Sequence, residues 1–209
     1  MAEVFEVEGS AADALEAAEG ALERGECIVF PTDTVYGLGA RPDLPEATER
    51  LFEIKERSRD LTIPVLVAGT ADVQAIAELD ERAAALAHAF WPGGLTLVLR
   101  RTRGSASWDL GAERDTIGVR VPADGIAVAL LASTGPLAVT SANLTGAATP
   151  TTCPGVQEML GDRVSIYICG GPSRGETPST VIEVIGEEPR ILRAGAIPPD
   201  DVFQVLRGP

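Results

Sequence analysis

The chain has 209 residues, of which 45% are hydrophobic and 23% are charged. That composition is typical of a globular protein and excludes collagen-like, fibrous and disordered classes, and the length suits one domain or two small ones. Lys and Arg number 17 against 31 Asp and Glu. The resulting net charge of -14 opposes a broad, non-specific hold on nucleic-acid phosphates, so any anionic ligand must be bound locally.

In chain order, short apolar runs alternate with amphipathic stretches, and Ser10 with Asp13 forms a capping-box signature before the first helix. Helices are predicted near residues 11–25, 45–57, 71–77, 80–90, 125–132 and 156–160. Strands are predicted near residues 4–7, 27–30, 63–68, 95–101, 116–122, 137–143, 164–169, 179–185 and 190–193. The strands outnumber those of a strict βαβ alternation. We therefore expect an α/β fold with a large twisted mixed sheet and flanking helices.

The cysteines and the N-terminal residues indicate the cellular compartment in which the protein is expected. Cys27, Cys153 and Cys169 are odd in number and form no CxxC pair, so neither a disulfide framework nor a zinc site is predicted. The first ten residues carry acids where a signal peptide carries bases, and no apolar run approaches the roughly 20 residues of a membrane span. We therefore expect a soluble protein of the reducing cytoplasm.

Hydroxyl, amide and arginine side chains cluster at predicted strand ends and loops. Such groups bind phosphate and carboxylate oxygens, and ligands of α/β proteins commonly bind beyond strand ends. Taken singly, each Ser or Thr is better explained as a turn or cap residue, so the predicted anion site rests on the cluster. Its members are Thr32, Asp33, Thr34, Tyr36, Arg57, Arg59, Thr116, Arg120, Ser141, Asn143, Thr149, Thr151, Thr152, Ser179, Thr180 and Arg193.

Other candidate motifs are less informative. The sequence has no Walker motif, and YGLGARPD is not a GxGxxG motif. Gly37 and Gly39 fit either a turn at positive φ or a close approach of backbone to ligand. Lys55 is the only lysine and His88 the only histidine. A single histidine excludes a histidine-based triad and a multi-histidine metal cluster.

Seven segments, in order, resemble the motifs of the YrdC-like L-threonylcarbamoyladenylate synthases. They span nearly the whole chain, and their shared order makes a chance resemblance improbable. The segments are PTDTVYGLG (31–39), Lys55-Glu56-Arg57 with PVLV (64–67), FWPGGLTLVL (90–99), TIGVRVP (116–122), SANLTG with TPT (141–151), STVIEV (179–184) and ILRAGAI (191–197).

The resemblance implies one YrdC-like domain over residues 1–209, of the dihydroxybutanone-phosphate synthase type of fold, in the short form that lacks an additional C-terminal domain. It also implies a cytoplasmic nucleotidyltransferase that converts L-threonine, bicarbonate and ATP to threonylcarbamoyl-AMP and pyrophosphate. The product would serve tRNA threonylcarbamoyl-transferase proteins in the threonylcarbamoyladenosine modification of tRNA. Magnesium is expected with ATP, although no protein ligands for it are identified.

The resemblance also implies roles for individual residues. Thr32, Arg120 and Ser179 would bind L-threonine, and Lys55 and Arg57 would be catalytic. The ATP pocket would contain Arg57, Thr116, Ser141, Asn143, Thr149 and Arg193. If N-carboxythreonine attacks the α-phosphorus, cationic donors and positioning suffice without a covalent nucleophile.

The sequence departs from the family pattern after Arg57. Ser58, Leu61 and Leu66 stand where many relatives have proline, asparagine or lysine, and, in some, histidine. One triphosphate contact and one threonine contact of the family are therefore not carried over to these positions, and Arg59 is a candidate to replace the lost charge. Two alternatives remain, an RNA-binding module or a non-catalytic nucleotide-binding adaptor with the same fold. The charge of -14 and the aromatic share of 4% oppose direct tRNA binding as the main activity, and no membrane partner is expected.

Overall fold

The computed structural model describes residues 1–7, 11–173, 175 and 177–208, so the predicted cap residue Ser10 lies outside the described residues. Within them the chain forms ten strands and seven α-helices. The strands are β1 (Glu3–Glu6), β2 (Ile28–Phe30), β3 (Gly37–Ala40), β4 (Val65–Leu66), β5 (Leu95–Arg100), β6 (Thr116–Arg120), β7 (Leu137–Ser141), β8 (Ile166–Cys169), β9 (Thr180–Glu183) and β10 (Arg190–Arg193). The helices are α1 (Ala12–Glu23), α2 (Pro45–Lys55), α3 (Thr70–Ile76), α4 (Glu81–Phe90), α5 (Gly125–Thr134), α6 (Cys153–Leu160) and α7 (Pro199–Arg207).

All ten strands join one sheet in the order β1-β8-β2-β3-β7-β4-β6-β5-β9-β10. The pairs β1/β8, β2/β8, β4/β6 and β5/β9 are parallel, and the other neighbours are antiparallel. The predicted fold class, an α/β fold with a large mixed sheet and flanking helices, is confirmed.

The sheet separates two hydrophobic clusters because successive strand residues face opposite sides. In β2, Ile28 and Phe30 pack with α1 and α5, whereas Val29 packs on the other face with α2, α4 and α6. The strand is buried on both faces, which explains its continuous apolar run.

Helices α1 and α5 cover only part of their face. Beyond β4, the same face carries Thr96 and Val98 of β5 together with Arg120 and Gly118 of β6, and Val98 pairs with Gly118 across the two strands. The alternate residues of these strands, including Leu97 and Val119, are fully buried on the opposite face. The hydrophobic core therefore supports these strands from one side and leaves polar side chains on the other.

Two elements were not predicted from the sequence. Strand β3 reads GLGA, which lacks the β-branched pattern of a strand, yet it pairs with both β2 and β7. A Cβ atom at Gly39 would lie 2.8 Å from the Phe30 ring, and one at Gly37 would lie 2.9 Å from Val139. Neither glycine has positive φ, so the turn explanation was wrong, and close packing between strands explains Gly39. The second missed element is α7, which packs on α4.

The structure corrects the cysteine prediction. Cys153, the first residue of α6, is joined in a disulfide to Cys169, the last residue of β8, with Cα atoms 5.5 Å apart. Sequence spacing did not reveal this pair because α6 packs against β8 only in the folded chain. Cys27 is a buried free thiol. Of the helices the structure describes, none is long and apolar enough to cross a membrane.

Candidate functional site

A small cavity of about 90 Å³ lies on the uncovered part of the sheet face. Its polar lining comes from β5, β6, β7 and β10, from the loop between β2 and β3, and from Arg57 before β4 and Ser179 before β9. Apolar residues close another wall, among them Leu66, which pairs with Arg120 across β4 and β6. The lining residues are Thr32, Thr34, Val35, Tyr36, Gly37, Arg57, Pro64, Leu66, Thr96, Arg120, Val139, Thr140, Ser141, Pro178, Ser179 and Arg193.

Arg120 is the most deeply buried arginine of this cavity, with 5% of its surface exposed. Its Nη2 lies 2.6 Å from Asp33 Oδ1, its Nη1 donates to Thr34 Oγ1 at 2.9 Å, and its Nε donates to the Gly93 carbonyl at 2.9 Å. Burial lowers the pKa of Arg120, while the Asp33 carboxylate raises it. The guanidinium is therefore a paired cation fixed on three sides.

Thr32 uses its hydroxyl within the protein. Its Oγ1 donates to the Val35 carbonyl at 2.6 Å and accepts from the Thr34 backbone N–H at 3.2 Å. The Thr34 hydroxyl, 3.1 Å away, therefore donates to Thr32 while it accepts from Arg120. Thr32 lines the cavity, and because its proton is used within the loop, its hydroxyl could contact a ligand only as an acceptor.

Ser179 and Arg193 meet through a β-bulge. Arg193 donates to the Ser179 carbonyl through Nη2 at 2.7 Å and Nε at 3.1 Å, and Nη2 lies 3.1 Å from Ser179 Oγ. The register of β9 and β10 shifts between Ile191 and Arg193, so Arg193 stands opposite Val181. In a regular strand Arg193 would share the face of Ile191, away from the cavity. The bulge therefore brings the guanidinium to the site.

A larger cavity of about 440 Å³ adjoins the small one. It shares Arg57, Pro64, Thr96 and Arg193 with the small cavity. Leu61 and Leu192, two of the exposed large apolar side chains of the protein, also line it. Its complete lining is Arg57, Asp60, Leu61, Thr62, Pro64, Thr96, Val98, Glu113, Thr116, Gly118, Val181, Glu183, Arg190, Leu192 and Arg193.

Arg57 and Arg193 lie where the two cavities join. Arg57 Nη2 donates to the Thr62 carbonyl at 3.1 Å, and neither arginine forms an ion pair with any carboxylate among the described residues. Burial lowers the pKa of both side chains, and the charge of Arg193 lowers that of Arg57 further. These two cations therefore favour an anionic ligand at the junction.

Lys55 lies behind the small cavity at the C-terminus of α2. Its Nζ donates to the Ser141 carbonyl at 2.7 Å, to Ser141 Oγ at 3.0 Å and to Asn143 Oδ1 at 2.5 Å. Burial lowers its pKa from 10.5 to about 7, with further lowering by Arg57 and Arg193. Lys55 thus holds the Ser141–Asn143 turn and adds positive charge to the site.

The structure brings most of the predicted site residues together. The three predicted threonine ligands and Ser141 line the small cavity, Thr116 lines the large one, and Arg57 and Arg193 line both. Lys55, Asn143 and Thr149 line neither. The roles assigned to all of these residues stay predictions. The sequence analysis missed Thr96, which lines both cavities and lies 2.8 Å from Ser179 Oγ. Because Thr96 and Val98 alternate with buried residues along β5, the sequence could have indicated that both side chains lie on the same face of the sheet.

The residues that depart from the family pattern fall in two places. Leu61 lines the large cavity and Leu66 the small one, so both form apolar wall at positions where the resemblance implies a polar side chain. Arg59 does not replace a lost charge at either wall. It pairs with Glu49 and with Asp109, whose oxygen is 2.6 Å away, and stacks on the Phe52 ring. Its suggested role at the triphosphate is therefore not supported.

The chain matches the Sua5_yciO_yrdC family model, described as telomere recombination, over residues 20–195. A relative from Mycobacterium tuberculosis is 37% identical over 190 residues, which cover 90% of this chain and 87% of the relative. The threonylcarbamoyl-AMP synthase of Pyrococcus abyssi is 37% identical over 191 residues, which cover 90% of this chain and 56% of that protein.

A solved structure resembles this chain in both fold and sequence. The crystal structure of P. abyssi Sua5 complexed with L-threonine superposes with a TM-score of 0.87 at 32% identity. The match covers 98% of this chain and 60% of that one. This chain therefore spans little more than half the length of the archaeal protein and most of the length of the mycobacterial one.

Proposed function

This chain belongs to the Sua5/YciO/YrdC family, and we propose that it is a threonylcarbamoyl-AMP synthase. In this proposal it converts L-threonine, bicarbonate and ATP to threonylcarbamoyl-AMP and pyrophosphate. The relatives named as threonylcarbamoyl-AMP synthases and the Sua5 complex with L-threonine support the assignment.

The junction of two unlike cavities carries the proposal. The small cavity has a paired arginine and several hydroxyl groups, which suit the carboxylate and polar groups of a small amino acid. The large cavity has apolar walls beside Thr116, which suit a nucleoside. Arg57 and Arg193 line both, so a triphosphate bound between the cavities would meet both guanidinium groups.

The chemistry requires charge stabilisation more than a nucleophilic side chain. The threonine amine first combines with bicarbonate to form a carbamate and water. A carbamate oxygen then forms a bond to the α-phosphorus while the bond from that phosphorus to the leaving pyrophosphate oxygen breaks. Negative charge spreads over the phosphate oxygens, and Arg57 and Arg193 stabilise it while the cavity walls hold the reactants in position.

Magnesium would accompany ATP without a dedicated protein cage. In the part of the chain that the structure describes, no group of three or more His, Cys, Asp or Glu side chains could hold a metal ion. Phosphate oxygens and water are suitable Mg²⁺ ligands. The proposal therefore places the metal on the triphosphate oxygens and water, and the protein ligands, if it has any, are not identified.

The product would be consumed by another enzyme. A mixed anhydride of a carbamate with AMP is an activated acyl donor, so tRNA threonylcarbamoyl-transferase proteins are the proposed downstream partners. A cytoplasmic location fits this step but rests on the inferred role in tRNA modification. The disulfide between Cys153 and Cys169 removes one of the reasons for expecting a reducing compartment.

One incubation tests the proposal and its alternatives. The protein is supplied with ATP, Mg²⁺, bicarbonate and labelled L-threonine, and the products are separated. The proposal predicts a labelled adenylate and pyrophosphate release that depends on threonine. ATP binding without either product would indicate a non-catalytic adaptor. RNA binding that weakens steeply with added salt, without turnover, would indicate the nucleic-acid-binding alternative.

A further inference from the structure

Asp33 is the only carboxylate paired with an arginine of the small cavity among the described residues. It lies in the loop between β2 and β3, and its side chain is 14% exposed. Asp33 itself does not line either cavity. Any influence it has on a ligand therefore passes through the arginine that it holds.

Asp33 joins two separate segments. Its Oδ1 accepts from Arg120 Nη2 at 2.6 Å and from the Ala123 backbone N–H at 2.9 Å. The bond from the Ala123 N–H ties the carboxylate to the backbone that follows β6. The position of the carboxylate therefore does not depend on Arg120 alone. The carboxylate is thus an anchored partner and not a mobile surface charge.

Arg120 needs such a partner. The guanidinium is almost completely buried, and Arg193 is a second cation close enough to lower its pKa. Burial and repulsion both oppose a charged group in this position, whereas an anchored carboxylate offsets them. Without Asp33, the guanidinium of Arg120 would have a lower free energy if it turned toward water. It could also contact the bound ligand in an orientation different from the present one.

Geometry leaves Arg120 able to bind a second carboxylate. Its three hydrogen bonds to Asp33, Thr34 and Gly93 use three of the five guanidinium N–H groups. One N–H on each terminal nitrogen is not used by these bonds. These two groups remain as donors for a carboxylate bound in the cavity that Arg120 lines.

We infer that Asp33 is a positioning residue. Its carboxylate holds the Arg120 guanidinium so that the two remaining N–H groups of Arg120 are presented to the carboxylate of the amino-acid substrate. The inference rests on the proposed function, since it requires L-threonine in the small cavity. It concerns the charge of Asp33 as well as its shape. A mere anchor for the segment at Ala123 would need only a hydrogen-bond acceptor.

The test compares Asp33→Asn, Asp33→Ala and a matched control, Asp43→Asn. Asparagine keeps an acceptor for the Ala123 N–H and removes only the charge. Asp43→Asn removes the same charge from a surface pair, in which Arg41 lies 2.6 Å from Asp43 and neither residue lines a cavity. The KM values for L-threonine and for ATP are measured by pyrophosphate release, and L-threonine binding is measured by calorimetry.

For Asp33→Asn we expect the KM for L-threonine to rise about tenfold, while the KM for ATP changes less than about twofold. Asp33→Ala should have a larger effect on the same constant, and Asp43→Asn should match the wild type. An unchanged KM for L-threonine in Asp33→Asn, with a rise only in Asp33→Ala, would reduce Asp33 to an anchor and overturn the inference. Equal increases in both KM values would also overturn it.

The wild type separates this inference from the proposed function. Wild-type turnover together with unchanged L-threonine affinity in both Asp33 variants contradicts the inference alone. L-threonine binding without turnover contradicts the synthase and leaves the calorimetric comparison of the variants as the test of Asp33. Failure of the wild type to bind L-threonine overturns both. Circular dichroism confirms that each variant is folded, and an unchanged affinity for ATP confirms that its neighbouring cavity is intact.

Discussion

The two cavities differ in how their cations are balanced. In the small cavity, Arg120 is paired with Asp33 and is bonded to Thr34, so its charge is compensated before any ligand arrives. At the junction with the large cavity, Arg57 and Arg193 are bonded to backbone carbonyls instead. An arginine whose charge is already balanced by a carboxylate serves mainly to orient a ligand. Arginines without a carboxylate partner attract negative charge. The difference suits one carboxylate on one side and several phosphates on the other.

Removal of the uncompensated charges should have the largest effect. We expect Arg57→Ala and Arg193→Ala each to weaken ATP use about 10- to 150-fold, because a charge-assisted hydrogen bond contributes about 1.5 to 3 kcal/mol. Arg41→Ala is the matched control, since Arg41 lies in a surface pair outside both cavities. Pyrophosphate release at varied ATP concentration measures the effect. Values equal to those of the control in both variants would remove the arginines from the ATP site.

Specificity in the small cavity gives the next largest effect. L-valine replaces the threonine hydroxyl by a methyl group, which cannot hydrogen-bond to the polar lining of the small cavity and would leave a buried polar group of the bound complex without that partner. Such a loss costs about 1 to 3 kcal/mol, so valine should be a poor substrate. The ratio of kcat/KM for the two amino acids measures this discrimination. Equal values would show that the hydroxyl groups of the cavity do not contact the substrate.

Lys55 should make ATP affinity depend on pH. Its pKa of about 7 is lowered by burial and by Arg57 and Arg193, so the free protein loses this proton above neutral pH. Bound phosphates favour the charged form, and ATP binding should therefore take up a proton there. The affinity of the wild type for ATP should fall as the pH rises from about 7 to about 9, by at most about tenfold per pH unit. The affinity of Lys55→Met for ATP should lack this decrease. Identical pH profiles from calorimetry would exclude this role for Lys55.

The smallest effect concerns L-serine. Serine keeps the hydroxyl group and lacks one methyl group, and the loss of that apolar contact costs about 1 kcal/mol. We expect a severalfold lower kcat/KM than for threonine, and less discrimination than against valine. Competition between the two labelled amino acids measures the ratio. A preference for serine would show that the apolar wall at Leu66 and Val139 does not hold the methyl group.

Most of the fold could be predicted because strand and helix periodicities were strong. The missed strand β3 contains two glycines in four residues and forms because β2 and β7 flank it on both sides. The missed helix α7 is stabilised by packing against α4. Both depend on tertiary contacts that local propensity does not contain. The same applies to the disulfide between Cys153 and Cys169.

The candidate site was predicted as a set of residues but not as a geometry. Motif resemblance identified Arg57, Arg120 and Arg193, yet only the folded chain shows that Arg120 has a carboxylate partner. The bulge in β10 that brings Arg193 to the cavity has no clear sequence signal. Thr96 belongs to no assigned motif role. It shares a strand face with Val98, which pairs with Gly118 on the strand that carries Arg120.

Calorimetry on Arg120→Ala and Arg193→Ala, with L-threonine and ATP titrated separately, tests the division of the site most directly. The account predicts that Arg120→Ala loses L-threonine binding and keeps measurable ATP binding, because its partner is a carboxylate. Arg193→Ala should show the reverse preference, with ATP affinity reduced more than L-threonine affinity. If Arg120→Ala instead loses ATP and retains L-threonine, the two cavities have been assigned the wrong way round.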